Sequence, residues 1–160
     1  NLYYTNTSGR NDIVDARVAR SGKNVCFYVE TDSALTPVTD NNWMLLFIDI
    51  DRNKSTGWEG YDFVVNRSAK GNGKTVLERN AEGAWKWQAV KDVKYFTEGN
   101  KLVISIPKKL LSDGGEPLNF EFKWSDNMQE EGNPMDFYVN GDVAPSARFN
   151  YVYNTAYEEK

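Results

Sequence analysis

The fold is decided between Trp43 and Arg67, in the stretch WMLLFIDIDRNKSTGWEGYDFVVNR. Residues 43–50 are apolar on both faces of an extended chain, which predicts a central strand covered on both sides. Residues 61–67 predict the next strand. The loop between the two strands is dense with oxygen-bearing side chains. The stretch therefore predicts a β domain with a candidate ligand loop at the end of a central strand.

Alternating apolar and polar residues predict short strands along most of the remaining chain. Such alternation recurs at 14–18, 25–29, 101–106 and 118–124. A hairpin and two closing strands are predicted at 76–79 with 84–90, at 136–140 and at 148–153. Pro107 predicts one short helical turn over 107–111, because proline fits a first helical position. Together these elements predict an all-β fold, an antiparallel β-sandwich of the immunoglobulin or jelly-roll kind with about ten strands.

Length and composition narrow the class of protein. The chain has 160 residues, which suits one domain with a core over about 12–153. Its 19 basic and 23 acidic residues give a net charge of -4, so no basic surface for nucleic acid is expected. No apolar run reaches about 18 residues, so no membrane span is expected. Histidine is absent, which disfavours haem and excludes imidazole-based catalysis.

The start of the chain bears on its origin. It begins at Asn1 without methionine, which favours a C-terminal fragment of a longer protein. Other domains of that parent chain are therefore expected partners. Nothing in the sequence requires an oligomer, so a monomer is expected.

The loop after the central strand is a candidate calcium site. A hard cation needs several oxygen ligands converging from a short segment, and acidic or amide side chains recur here at every second residue. An EF-hand is disfavoured, because Lys54 stands where that loop needs glycine and Gly60 where it needs a bidentate glutamate. The alternative is a polar turn whose side chains cap backbone amides. The predicted ligands of a structural calcium ion are Asp49, Asp51, Asn53 and Asp62.

Aromatic side chains are the candidate sugar-stacking residues. Trp58 follows Gly57 in a loop and is expected to be the most exposed tryptophan. Trp85 and Trp87 lie two residues apart, so they share one face of a strand, either as a flat platform or as ordinary core. Trp43 and Trp124 are expected in the core. Polar partners for a sugar are predicted at Asn127, Gln129, Asn140 and Arg148.

Catalysis is the least favoured function. Asp49 and Asp51 point to one face with Cα atoms roughly 6.5–7 Å apart, a spacing that a glycoside-hydrolysing carboxylate pair could use. Carboxylates that face one another in a ligand-rich loop more often share a cation. Because no nucleophile arrangement accompanies them, the domain is not expected to be an enzyme.

Several short motifs carry a resemblance. They are Phe47-Ile-Asp49, Ser55-Thr-Gly57, Phe63-Val-Val-Asn66, Gly99 to Pro107 and Phe120 to Asp126. Their order, across about Asp12 to Tyr153, resembles the family 9 carbohydrate-binding module and the wider DOMON-like β-sandwich group. The resemblance implies a non-catalytic module that brings an attached bacterial enzyme or surface protein to a polysaccharide. The parent protein is then expected to be secreted, periplasmic or on the cell surface.

Three positions depart from that family. Where its sugar-binding members carry glutamate, arginine and glutamine, this chain has Leu45, Val64 and Lys123. These departures favour an alternative, a structural or protein-docking β-sandwich that has lost the sugar site.

Overall fold

A computed structural model describes residues 10–112, 117–139, 141–146 and 149–157. These ranges contain ten strands, two 3-10 turns and one short α-helix. The strands are β1 (Ile13–Ser21), β2 (Asn24–Thr31), β3 (Leu45–Asp49), β4 (Phe63–Val65), β5 (Lys74–Asn80), β6 (Trp87–Glu98), β7 (Lys101–Pro107), β8 (Asn119–Asp126), β9 (Asp142–Ala144) and β10 (Tyr151–Asn154). The helical segments are the 3-10 turns Lys108–Leu110 and Thr155–Tyr157 and the helix α1 (Asp136–Val139). Within the described ranges, no helix is long and apolar enough to cross a membrane.

One antiparallel sheet folds over on itself in a sandwich-like arrangement. Its strand order is β1-β2-β7-β6-β5-β4-β3-β8-β10, and β9 also pairs with β8. The twelve-residue β6 continues the sheet from one layer to the other, because Lys94 pairs with Lys74 of β5 and with Ser105 of β7. The ring of Phe27 on β2 lies 5.3 Å from that of Phe122 on β8, so these strands face each other. The predicted all-β fold is confirmed.

The main core lies between the two layers. In β2, buried residues alternate with half-buried ones, as the sequence predicted. Trp43 and Trp124 are buried there, as expected. Each fully buried large apolar side chain stabilises the fold by about 1.5–3 kcal/mol relative to its exposed state. The largest buried side chains of this core include Trp43, Trp124, Phe27, Phe120 and Phe122.

Strand β3 is covered on both faces. Leu46 and Ile48 pack into the main core, whereas Leu45 and Phe47 face the opposite side of the sheet. There they join a second apolar group, here called the outer cluster, which explains why all five residues of β3 are buried. The prediction of a doubly covered central strand is confirmed. The outer cluster comprises Leu45, Phe47, Trp58, Tyr61, Val64, Met128, Phe137 and Val143.

The strand predicted at residues 136–140 is wrong, because residues 136–139 form α1. A turn at Asn133 starts the helix: Asp136 N–H donates to the Asn133 carbonyl, and Phe137 N–H donates to the Pro134 carbonyl. Proline favours such a first turn. The other predicted closing strand, at 148–153, corresponds to β10 over Tyr151–Asn154, and β9 is a strand that the sequence pattern did not predict. The short turn predicted near 107–111 is confirmed, since a 3-10 turn follows Pro107.

Candidate functional site

A tight turn folds the loop after β3 back onto the sheet. Trp58 and Tyr61 exchange both backbone hydrogen bonds, at 2.9 and 2.8 Å. The two residues between them, Glu59 and Gly60, have φ values of 51° and 92°, typical of a two-residue hairpin turn. A Cβ at Gly57 would lie 2.1 Å from the Tyr61 carbonyl oxygen, so only glycine fits there. The turn places both aromatic rings over β3.

The expectation that Trp58 is exposed is wrong. Its side chain is 4% exposed, with its ring centroid 5.5 Å from that of Phe47. The hairpin turn returns the indole to the apolar outer face of β3, where burial removes it from water. The sequence signal that could have shown this is the glycine-containing pair Glu59-Gly60 between Trp58 and Tyr61, because such a pair favours a two-residue hairpin turn that folds its flanking residues back together.

Trp85 and Trp87 close one side of the outer cluster instead of forming a flat platform. Their rings are perpendicular, at 89° and 5.4 Å. The Trp85 ring also lies 4.6 Å from that of Trp58. A Cβ at Gly132 would lie 2.8 Å from the Trp85 Cβ, so another loop presses against this ring. The core interpretation of the pair is therefore favoured over the platform.

A pocket of about 370 Å³ opens beside the outer cluster. It combines aromatic rings with a few polar groups from different parts of the chain, which is the general form of a small-molecule site. Turn, loop and α1 residues supply the walls, which is why the sequence pattern gave no signal for it. The lining residues are Lys54, Glu59, Tyr61, Pro134, Met135, Phe137, Tyr138 and Asn150.

The Asn150 side chain organises the polar side of the pocket. Its hydrogen-bond partners fix the orientation of its amide: the nitrogen donates to the Tyr61 hydroxyl oxygen at 2.6 Å and to the Phe149 carbonyl at 3.1 Å. The amide oxygen accepts from Lys54 Nζ at 2.9 Å. Burial, with the nearby charge of Asp49, raises the pKa of Tyr61, so its hydroxyl stays protonated. The pocket thus presents a hydroxyl, an amide and an ammonium close together.

Lys54 lies in the loop between β3 and β4, here called the acidic loop, and it forms ion pairs with two acidic side chains next to the pocket. Its Nζ lies 2.9 Å from Asp49 Oδ2 and 3.5 Å from Glu121 Oε2. Burial raises the pKa of Asp49, and it raises the pKa of Asp62 to about 6. The oxygens of Asp49, Asp51 and Asp62 all lie within 4.8 Å of one another. This arrangement could hold a cation.

The same loop also shows the alternative predicted for it. The Asn53 side-chain oxygen accepts from Ser55 N–H at 2.9 Å, so it turns to the loop backbone and not to the three carboxylates. Asp62 Oδ2 accepts from Ile50 N–H at 2.9 Å. Carboxylate capping of backbone amides is therefore present, and calcium binding stays a prediction.

Of the four predicted polar partners, the two that the structure describes, Asn127 and Gln129, do not line the pocket. The Gln129 side-chain nitrogen donates to the backbone and side-chain oxygens of Asn127, at 3.0 and 2.9 Å. Both residues belong to the loop after β8, and neither lines the pocket. Asn140 and Arg148 lie outside the described residues.

The three positions that differ from the sugar-binding members of the family 9 carbohydrate-binding module are inaccessible to a ligand. Leu45 and Val64 belong to the outer cluster, Lys123 lies against its Phe137 ring, and all three side chains are completely buried. A ligand on this face of the sheet therefore meets the loops and α1, not the strands.

Comparison with protein-family models, with curated protein sequences and with solved structures finds no match for this chain.

Proposed function

We propose that this domain is a non-catalytic carbohydrate-binding module and that its site is the pocket beside the outer cluster. The observation that supports it is the juxtaposition of aromatic side chains with the Asn150 amide, the Lys54 ammonium and the Tyr61 hydroxyl. Sugars present C–H faces that pack on aromatic rings and hydroxyl groups that need placed donors and acceptors. A pocket of about 370 Å³ lies near the lower end of the usual ~300–1,000 Å³ range, which suits a small ligand or one end of a chain.

The polar groups of the pocket offer different hydrogen-bond donors and acceptors to a sugar. Glu59 can accept from a sugar hydroxyl, and the Asn150 amide oxygen has a second lone pair that can do the same. The Tyr61 hydroxyl accepts from Asn150, so its own proton is left to donate. Tyr138 and Phe137 supply apolar contact. Met135 also lines the pocket and is 45% exposed, so it extends the apolar surface at the opening.

The biological role follows from the resemblance. The module would hold an attached enzyme or surface protein of a bacterium on a polysaccharide outside the cytoplasm. Affinity of one site for one sugar end is modest in such an arrangement, and further modules in a parent chain would raise it by avidity.

Affinity gel electrophoresis against a panel of soluble polysaccharides tests the proposal. We expect one glycan class to retard the protein, and we expect Asn150→Ala and Tyr138→Ala each to abolish most of that retardation. Gln88→Ala is the matched control, because it removes an exposed amide from β6, away from the pocket. Equal retardation of all four proteins would exclude the pocket as the site.

A structural or protein-docking module is the second candidate. The burial of Leu45, Val64 and Lys123 favours it, because a ligand cannot reach those positions. The absence of retardation by every glycan would favour this candidate over sugar binding.

A further inference from the structure

Lys123 is a fully buried lysine in the middle of β8. It pairs with Phe47 of β3, and its side chain lies on the outer face of the sheet. The Nζ atom donates to the Pro145 carbonyl at 2.5 Å and to the Phe149 carbonyl at 2.7 Å. The same atom lies 5.4 Å from the centre of the Phe137 ring. One side chain thus joins β8, the residue after β9, the segment before β10 and α1.

Two of the residues that Lys123 contacts, Phe137 and Phe149, lie in the pocket lining or next to it in the chain. Phe137 lines the pocket, and Phe149 directly precedes Asn150, which also lines it. The Phe149 carbonyl accepts from both Lys123 and the Asn150 amide. A shift of that carbonyl therefore moves the group that orients Asn150 toward Tyr61 and Lys54.

We infer that Lys123 is a positioning residue for the pocket. It holds in place the side of the pocket formed by Asn150, here called the Asn150 wall, and the side formed by Phe137, and it does not touch the ligand. This inference rests on the pocket being the binding site proposed above. A lysine is suited to the task because its long stem crosses the apolar outer cluster and its head satisfies two carbonyls at once.

The charge of Lys123 supplies a readout that a merely structural residue lacks. Burial and, to a smaller extent, the charge of nearby Lys54 together lower the pKa of Lys123 to about 7. Facing it from the other elements are the Phe47 and Phe137 rings and two carbonyls. Glu121, two residues away on β8, is bound to Lys54 and Arg52. The ammonium form makes the stronger, charge-assisted hydrogen bonds. The Asn150 wall is therefore held more tightly below pH 7 than above it.

Side-chain amide resonances of Asn150 test this directly and need no ligand. They are assigned with Asn150→Ala and followed in ¹⁵N-labelled full-length chain from pH 5.5 to 9. In the wild type we expect a chemical-shift change with a midpoint near 7, and in Lys123→Met we expect that change to be lost. Lys91→Met, an exposed lysine of β6, is the control and should keep the wild-type profile. An Asn150 profile that is flat in the wild type, or unchanged in Lys123→Met, overturns the inference. If Lys123→Met does not fold, Asp62→Asn replaces it: the Asn150 change should persist in that variant, and its loss there would assign the titration to Asp62 and overturn the inference.

A binding experiment distinguishes a failure of this inference from a failure of the proposed function. The probes are a mixed-linkage β-glucan, a xylan and a mannan in affinity gels. Where one retards the wild type, Lys123→Met should weaken retardation roughly tenfold, about the effect of one lost hydrogen bond. Unchanged retardation in a folded Lys123→Met overturns the positioning role. If no probe retards the wild type while the Asn150 titration is present, the sugar proposal fails and the contact between Lys123 and the wall stands.

Discussion

Replacing Phe47 by alanine should unfold the protein at much lower denaturant concentration. Phe47 is completely buried at the centre of the outer cluster. Five aromatic rings lie within 6.4 Å of its ring centroid, those of Trp58, Tyr61, Trp85, Trp87 and Phe137. The substitution leaves a cavity that these large rings cannot all collapse into, because the glycine-containing turn, β6 and α1 fix the backbones of most of them.

The size of the effect follows from burial and contacts. A buried phenylalanine truncated to alanine typically costs about 3–5 kcal/mol, and the ring contacts place Phe47 in the upper half of that range. With a urea m value of about 2 kcal/mol/M, a loss of about 4 kcal/mol shifts the unfolding midpoint down by about 2 M. Tryptophan fluorescence reports the transition, since Trp58 and Trp85 border the cavity.

Phe96→Ala is the matched control. Phe96 is 60% exposed on β6, so its truncation should change the free energy of unfolding by less than about 0.5 kcal/mol. A loss below about 1.5 kcal/mol in Phe47→Ala would refute the reasoning, because it would mean that the outer cluster is not a packed second core.

Three further measurements check other parts of the structure. If the acidic loop holds calcium, about 1 mM Ca²⁺ should raise the melting temperature of the EDTA-treated wild type but not of Asp51→Asn; superimposable wild-type melts would contradict a structural ion. The raised pKa of Asp62, about 6 against an ordinary 3.8, means that the native state binds its proton more tightly than the unfolded state. In calcium-free buffer the wild type should therefore lose about 2 kcal/mol relative to Asp62→Asn as the pH rises from 4 to 6.5, and a difference independent of pH would disprove the shift. Acrylamide should quench little of the tryptophan fluorescence, because Trp43, Trp58 and Trp124 are buried. Replacing Trp85 and Trp87 by phenylalanine should remove most of the fluorescence that acrylamide does quench. Strong quenching in that double variant would contradict the burial of Trp58.

The main core was predictable from the sequence because its strands obey a period of two. Val25, Phe27 and Val29 alternate along β2, and the same pattern recurs in β7 and β8. The continuous apolar run of β3 also correctly predicted that both of its faces are covered. Each of these signals is local, so neighbouring residues suffice to read it.

The candidate site was less predictable, because it depends on contacts between distant segments. Phe47 and Phe137 meet although 90 positions separate them, and α1 begins at a turn that the alternating pattern of 136–140 conceals. The acidic residues were found because three of them lie close together in the chain. Asn150 was missed, since nothing in its sequence neighbourhood distinguishes it from a residue of a polar loop.

The enclosure of β3 has a consequence for the dynamics of the chain. Hydrogen-bonded strands flank it on both edges, β4 on one side and β8 on the other, while apolar layers cover both faces. Its amides can reach solvent only when the sheet opens as a whole, so their hydrogen-exchange rates should report the global free energy of unfolding. The loops of the outer cluster can open on their own at lower cost. Strand β3, which the sequence pattern predicted most clearly, should therefore contain the slowest-exchanging amide hydrogens of the chain.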